Sequence, residues 1–262
     1  MQSDITVRSI SEYVEYVTSI SWCDGEYFTP PWFRGIGNSD DFKLLPRLYR
    51  DTVDSGLKEE PKIRGAFSSR ALQYVTTSRR EPWDWYFLMQ HYDVPTRLLD
   101  WTESALIALY FALYARKPAQ CSFPAVWVLD PVELNDATIG VRDIVVPSES
   151  SLVKYLPKHG ADVQAQLPVA VHPDYADPRM TAQHSKFTMH GSLPIPLEDM
   201  PELQQLRNKG RLVRILIAAE DDNAVESFKD SLALLGIRSS TVFPDLTGLA
   251  KDIRRDYTPR QE

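Results

Sequence analysis

The sequence predicts a mixed α+β fold. Helical apolar spacing and short apolar runs of strand type are interleaved along the chain, and one helical segment is apolar around nearly its whole circumference. No internal repeat, glycine-serine linker or sharp change of composition divides the 262 residues, so one domain is expected over 1–262. Ile10, Tyr13, Val14 and Val17 lie at helical spacing. Between Tyr27 and Gly35, Pro30 and Pro31 exclude helix, and Trp32, Phe33 and Arg34 suit a short strand ending near Gly35. Glu59–Val75 predicts a helix with Ile63, Phe67 and Val75 inward. Pro82 opens a second helix rich in aromatic residues, which stops before Pro95.

Thr102 is placed to cap a helix over Glu103–Ala115, whose Leu106, Ile107, Leu109, Tyr110, Phe111 and Leu113 leave no polar face. A helix of that kind is buried, and it is expected at the centre of the fold. Ala125–Leu129, Val169–Val171 and Leu212–Ala218 read as strands. Helices follow over Ala224–Leu235, stopped by Gly236, and over Asp245–Arg255, with Leu246, Leu249 and Ile253 as the expected inward face. The segment 135–178 has weak periodicity and several prolines, and reads as a loop-rich insertion or an arm of the same core.

Composition narrows the function. With 43% hydrophobic and 25% charged residues the chain is that of a folded protein, and no apolar run reaches the length that spans a bilayer. The start lacks a secretion signal, so no membrane association and a cytoplasmic location are expected. Cys23 and Cys121 have no metal-ligand spacing and read as thiols, and no metal is expected. The net charge of -7 argues against a broad electrostatic grip on nucleic acid. A local grip is left open, because residues 31–100 hold 11 Lys/Arg against 10 Asp/Glu while the remainder holds 18 against 26. Phosphate-loop, dinucleotide-fingerprint, zinc-protease and serine-hydrolase motifs are absent.

Three stretches carry unusual polar residues. In Met89–Thr102, Gln90, His91, Tyr92, Thr96, Arg97, Asp100 and Thr102 separate an aromatic helix from a buried one. Arg97 and Asp100 either lock each other as a structural ion pair, or Arg97 holds an anionic ligand that Asp100 orients, with His91 and Tyr92 as a wall or proton relay. In Trp32–Gly35, Arg34 presents a planar fork suited to phosphate oxygens, and Gly35 lets a backbone or ligand come close. In Met180–Gly191, polar and apolar residues alternate as in a strand or turn with one polar face. Gln183 there can hydrogen-bond a ribose hydroxyl or a carboxamide.

These stretches together resemble the FRG domain family, named for a Phe-Arg-Gly signature, here Phe33-Arg34-Gly35. The resemblance continues through Leu45-Pro46-Arg47, Gln90-His91-Tyr92, the block Pro95 to Thr102, Ala108 to Ala112, Gln183 to Phe187 and Phe243 to Leu246, a motif core of about 27–246. The family usually has glycine where Asp93 stands, and often where Ser185 stands. The order of an arginine-bearing strand, a polar block and a glutamine segment is similar to that of ADP-ribosyltransferases, an analogy that implies a core of short strands packed with helices. What it implies for activity is cleavage of NAD, as substrate, and transfer of ADP-ribose to a protein or nucleic-acid acceptor by a toxin or anti-phage effector, with an inhibitor protein as a further partner. Arg34, His91, Asp100 and Gln183 would then be catalytic, and Arg34, Tyr92, Thr96, Arg97 and Trp101 would bind the nucleotide. The rival expectation is a module that recognises a nucleotide or nucleic-acid end without turnover.

Overall fold

The computed structural model describes residues 4–20, 22, 28–40, 43–51, 56–75, 81–117, 122–148, 150–157, 163–173 and 178–258. Cys23 and Cys121 lie outside them. The architecture is mixed α+β. One sheet takes strands β1 (Ile5–Val7), β2 (Trp32–Ile36), β3 (Leu98–Thr102), β4 (Ala125–Leu129), β5 (Val169–Val171), β6 (Ser185–Met189) and β7 (Leu212–Ile217) in the order β1-β7-β4-β2-β3-β6-β5. Among the described strands β1 and β7 pair in parallel and the other strand pairs are antiparallel, while Val145 adds an isolated parallel bridge to Val171 of β5.

The helices are α1 (Ile10–Ser19), α2 (Arg47–Asp51), α3 (Gly56–Ala71), α4 (Pro82–His91), α5 (Ala105–Ala115), α6 (Pro131–Ile139), α7 (Pro178–Ala182), α8 (Gln204–Asn208), α9 (Asp222–Leu234), α10 (Ser239–Val242) and α11 (Leu246–Tyr257). No helix among the described residues is long and apolar enough to cross a membrane.

The two faces of the sheet are built differently. On one, Trp32, Ile36, Leu99, Trp101, Trp127 and Leu129 belong to a single core closed by Leu44, Leu134 and the 3-10 turns at Leu197–Asp199 and Pro201–Leu203. The opposite face carries two cores. One forms over β2, β4 and β7, where Phe33, Val126, Val128 and Ile215 meet α5 and α9. The other forms over β3, β5 and β6, where Leu98, Phe187, Met189 and Val169 meet Trp83, Tyr86 and Phe87 of α4. Val145, Leu152, Tyr155 and Ala165 join this second core, so the described part of the weakly periodic segment 135–178 packs into the main body.

Helix α5 is buried as its all-round apolar pattern predicts, and each of its sealed Leu, Ile and Tyr side chains contributes on the order of 1.5–3 kcal/mol. Its start is corrected by two residues. Ser104 is the cap, accepting from the Ile107 amide, while Thr102 belongs to β3 and its hydroxyl accepts from the Ser104 amide at 3.0 Å. The helix lies so close to β2 that a Cβ on Gly35 would sit 1.9 Å from the carbonyl oxygen of Ala108. The glycine of the Phe-Arg-Gly signature therefore admits a helix backbone.

The expected inward face of the last helix is also corrected. Leu246, Leu249 and Ile253 of α11 are exposed, and the helix packs instead through Gly248 and Asp252. A Cβ on Gly248 would stand 2.1 Å from the Phe243 carbonyl oxygen, and the Asp252 carboxylate accepts from the amides of Ser239 and Ser240 at 2.9 Å each. Backbone contact and a carboxylate fixed the orientation here, and neither registers in an apolar pattern. In α3 the sealed residue is Glu60, while Ile63 and Phe67 are only half-buried.

Candidate functional site

The gap between the two cores is where the sheet opens. β2 and β3 are bridged only at Phe33 and Thr102, while β2 stays paired with β4, and β3 with β6, over five residues each. Beyond the bridge the strands diverge, which leaves edge groups of β3 without a strand partner. Arg34 supplies one: its Nη1 donates to the Asp100 carbonyl oxygen at 2.6 Å.

The opening forms a cleft of about 270 Å³ floored by β2, β3 and β6 and walled by α4, α5 and α7. Phe33, Phe87, Phe111 and Phe187 give it an aromatic lining, and Arg34, Gln90, His91, Asp100, Arg179 and Gln183 bring its polar groups. Four of the expected catalytic positions, Arg34, His91, Asp100 and Gln183, thus line one cavity, contributed by three separate stretches of sequence.

Its polar centre is a small network. The Asp100 side chain is 53% exposed, and its carboxylate accepts from Gln90 Nε2 at 2.7 Å and stands 3.7 Å from Arg34 Nη1. Gln90 is itself held, because the Thr96 hydroxyl donates to its Oε1. Arg34 is 19% exposed, and burial pulls its pKa below the ordinary arginine value; Asp100 opposes that shift and the Arg50 charge adds to it. Gln183 follows α7 directly and donates through Nε2 to the Val242 carbonyl oxygen at 3.2 Å, which anchors its amide at the cleft wall.

Other expected site residues take different places. Arg97 lines no part of this cleft. It is wholly buried with Glu60, whose carboxylate accepts from its Nε at 2.8 and 3.0 Å; Nη1 donates to the His190 carbonyl oxygen at 2.7 Å and Nη2 to that of Tyr155 at 2.6 Å. Arg97 is thus an internal latch joining α3, β3, the end of β6 and the Tyr155 turn. The expected ion pair between Arg97 and Asp100 does not form: Arg97 pairs with Glu60, and Asp100 sits with Arg34 instead.

Thr96 is sealed and acts on the cleft only through Gln90. Tyr92 is exposed and packs edge-on against the His91 ring, outside the cleft lining. Trp101 is buried, touches the cleft, and donates through Nε1 to the Thr188 hydroxyl at 3.1 Å.

The expected polar face of β6 is absent, because all five of its residues are buried between β3 and β5. Lys186 pairs with Glu103 at 3.3 Å, and the His190 imidazole is sealed. Burial, with the nearby Arg97 and Arg34 charges, pushes the His190 pKa down to about 3 and keeps the ring neutral.

Asp93 explains a departure in the sequence pattern. It closes α4 with φ 57°, and the Asp93 and Val94 amides donate back to the carbonyls of Gln90 and Met89. That hydrogen-bond pair is the helix stop whose left-handed residue is usually glycine. Arg50, Phe87 and Phe111 were not anticipated. Arg50 stands three residues after Arg47 on α2, and that spacing was the available signal. Among the described residues no cluster of His, Cys, Asp or Glu could hold a metal.

The FRG domain model matches residues 29–121. That span contains β2, β3, α4 and α5, and hence Arg34, Gln90, Asp100 and Phe111 of the cleft. No curated protein and no solved structure matches the chain.

Proposed function

We propose, for a chain that carries an FRG domain over residues 29–121, that the cleft binds NAD, breaks the bond between nicotinamide and ribose, and passes ADP-ribose to water or to an acceptor macromolecule. The observation that supports this most is the Asp100 carboxylate. It is open to the cleft and fixed by Gln90, in a cavity lined by four phenylalanine rings.

As the C–N bond breaks, its electron pair leaves with nicotinamide as a neutral base, and the ribose ring becomes positively charged. A fixed carboxylate lowers the free energy of that transition state. Arg34 holds the phosphate side, Gln183 orients a ribose hydroxyl, and His91 at the rim accepts the proton that the attacking water or acceptor gives up. An ADP-ribosyltransferase-like core is part of this reading, and so is the action of an effector that depletes NAD or modifies a target.

The test is incubation of the chain with NAD and measurement of nicotinamide release. Release is expected, and Asp100→Asn is expected to reduce it by about 100-fold to 1,000-fold while the protein stays folded. A second reading draws on the 3.7 Å separation of Asp100 from Arg34, since a carboxylate already beside a guanidinium has less charge to offer. The cleft would then recognise a nucleotide without turnover. NAD binding without nicotinamide release would establish it.

A further inference from the structure

Next to the aromatic cleft, and sharing Arg34, Gln90, Asp93 and Asp100 with it, lies a second concavity of about 350 Å³. Arg47 and Arg50 of α2 stand on its wall, so three guanidinium groups line it against two carboxylates. We propose that Arg34, Arg47 and Arg50 form a diphosphate subsite, so that the ligand of the joined cavities is a nucleoside diphosphate with its base against the aromatic wall. This rests on the nucleotide reading of the cleft given above.

Three features carry the assignment. Arg50 is near enough for its charge to reach Arg34, a repulsion that an anion between them would relieve. The Nε of Arg34 is buried and donates to no group among the described residues, so this guanidinium is incompletely satisfied by the chain. Each guanidinium fork matches two phosphate oxygens, and three forks around one concavity suit an anion that carries more than one negative charge. Arg47 is already oriented, with Nη1 donating to the Asp93 carbonyl oxygen at 3.1 Å, while its side chain and that of Arg50 stay exposed. The two cavities meet at Arg34, so a diphosphate in one is contiguous with a nucleoside in the other.

Calorimetric titration of the full chain with pyrophosphate, ADP, adenosine and a 5′-phosphorylated oligonucleotide tests this, repeated on Arg50→Gln and Arg47→Gln. Pyrophosphate and ADP are expected to bind, more weakly as salt rises. Arg50→Gln is expected to weaken both by about tenfold or more, with adenosine unchanged. Arg50 is exposed, so this variant carries the test if Arg47→Gln does not fold. No binding of pyrophosphate, or equal binding by Arg50→Gln, overturns the subsite. Tighter binding of the oligonucleotide than of ADP, with the same dependence on Arg50, also overturns it by replacing the small nucleotide with a nucleic-acid end. Nicotinamide release separates the two claims. Release with a KM unaffected by Arg50→Gln removes the subsite alone, and pyrophosphate binding without release removes the catalytic reading alone.

Discussion

Arg34 lies in β2 and Arg97 directly precedes the neighbouring strand β3, and both sequence contexts suggest an anion-binding guanidinium, yet the fold uses them for opposite purposes. Arg97 and Glu60 are both wholly buried, and Nη1 and Nη2 of Arg97 each donate to a backbone carbonyl. Arg34 lies where the sheet splits, has an Nε without a partner among the described residues, and faces a carboxylate that is more than half exposed. A guanidinium whose three nitrogens all donate within its own chain stabilises architecture, whereas one with a nitrogen left unsatisfied beside a cavity is available to a ligand. Unmet hydrogen-bonding capacity, more than residue type, separates latch from site.

The largest expected effect tests the latch. Arg97→Ala or Glu60→Ala leaves an uncompensated buried charge, and each should cost about 3–5 kcal/mol in denaturant unfolding. The double change Arg97→Met with Glu60→Leu should recover most of that loss, because it removes both charges together. If Arg97→Ala unfolds at the wild-type midpoint, the contrast between the two arginines collapses. Gly35→Ala follows at about 3 kcal/mol, since the new Cβ would meet the Ala108 carbonyl oxygen and the helix backbone cannot give way as a side chain would. Thermal unfolding reads it directly.

Acid sharpens the comparison, because His190 lies within electrostatic reach of both arginines. Its folded pKa of about 3 lies below the unfolded value of about 6.5, so the unfolded chain binds the proton first. Stability is therefore complete above about pH 6.5 and declines as pH falls toward 3, by up to about 1.4 kcal/mol per pH unit from this group. His172, also shifted down by burial, adds in the same direction. His190→Gln should flatten the stability profile between pH 6.5 and 4.5, and an unchanged profile would show that the imidazole titrates alike in the folded and unfolded chain. The smallest effect is expected at Asp93→Gly, which relieves a left-handed backbone and should stabilise by up to about 1 kcal/mol in the same assay.

These contrasts also show what was legible in the amino-acid order. The apolar circumference of α5, the prolines before β2 and the glycine after α9 act within a few residues, and each marks its element. β3 was hidden because Asp100 interrupts Leu98, Leu99 and Trp101, so the run looks like a polar connection until β6 and β2 flank it. The stretch holding β6 reads as a strand or turn with one polar face, but that face is buried: Lys186, Thr188 and, just beyond the strand, His190 are polar residues whose cost is met by distant partners or by neutrality. The partner of Arg97 is 37 positions away in α3, beyond any local pattern. Of the site, the two ends were visible, Arg34 with its glycine and Gln183 with its turn. The sheet opening that joins them is a property of strand pairing and has no local signature.

The claim that ligand chemistry belongs to the open arginine is tested most directly by titrating NAD into wild type and Arg34→Gln, with denaturant unfolding of both in parallel. The account expects the variant to unfold within about 1–2 kcal/mol of wild type, the scale of one lost hydrogen bond, and to bind NAD at least about tenfold more weakly. Equal affinity for NAD in a folded Arg34→Gln protein would contradict it.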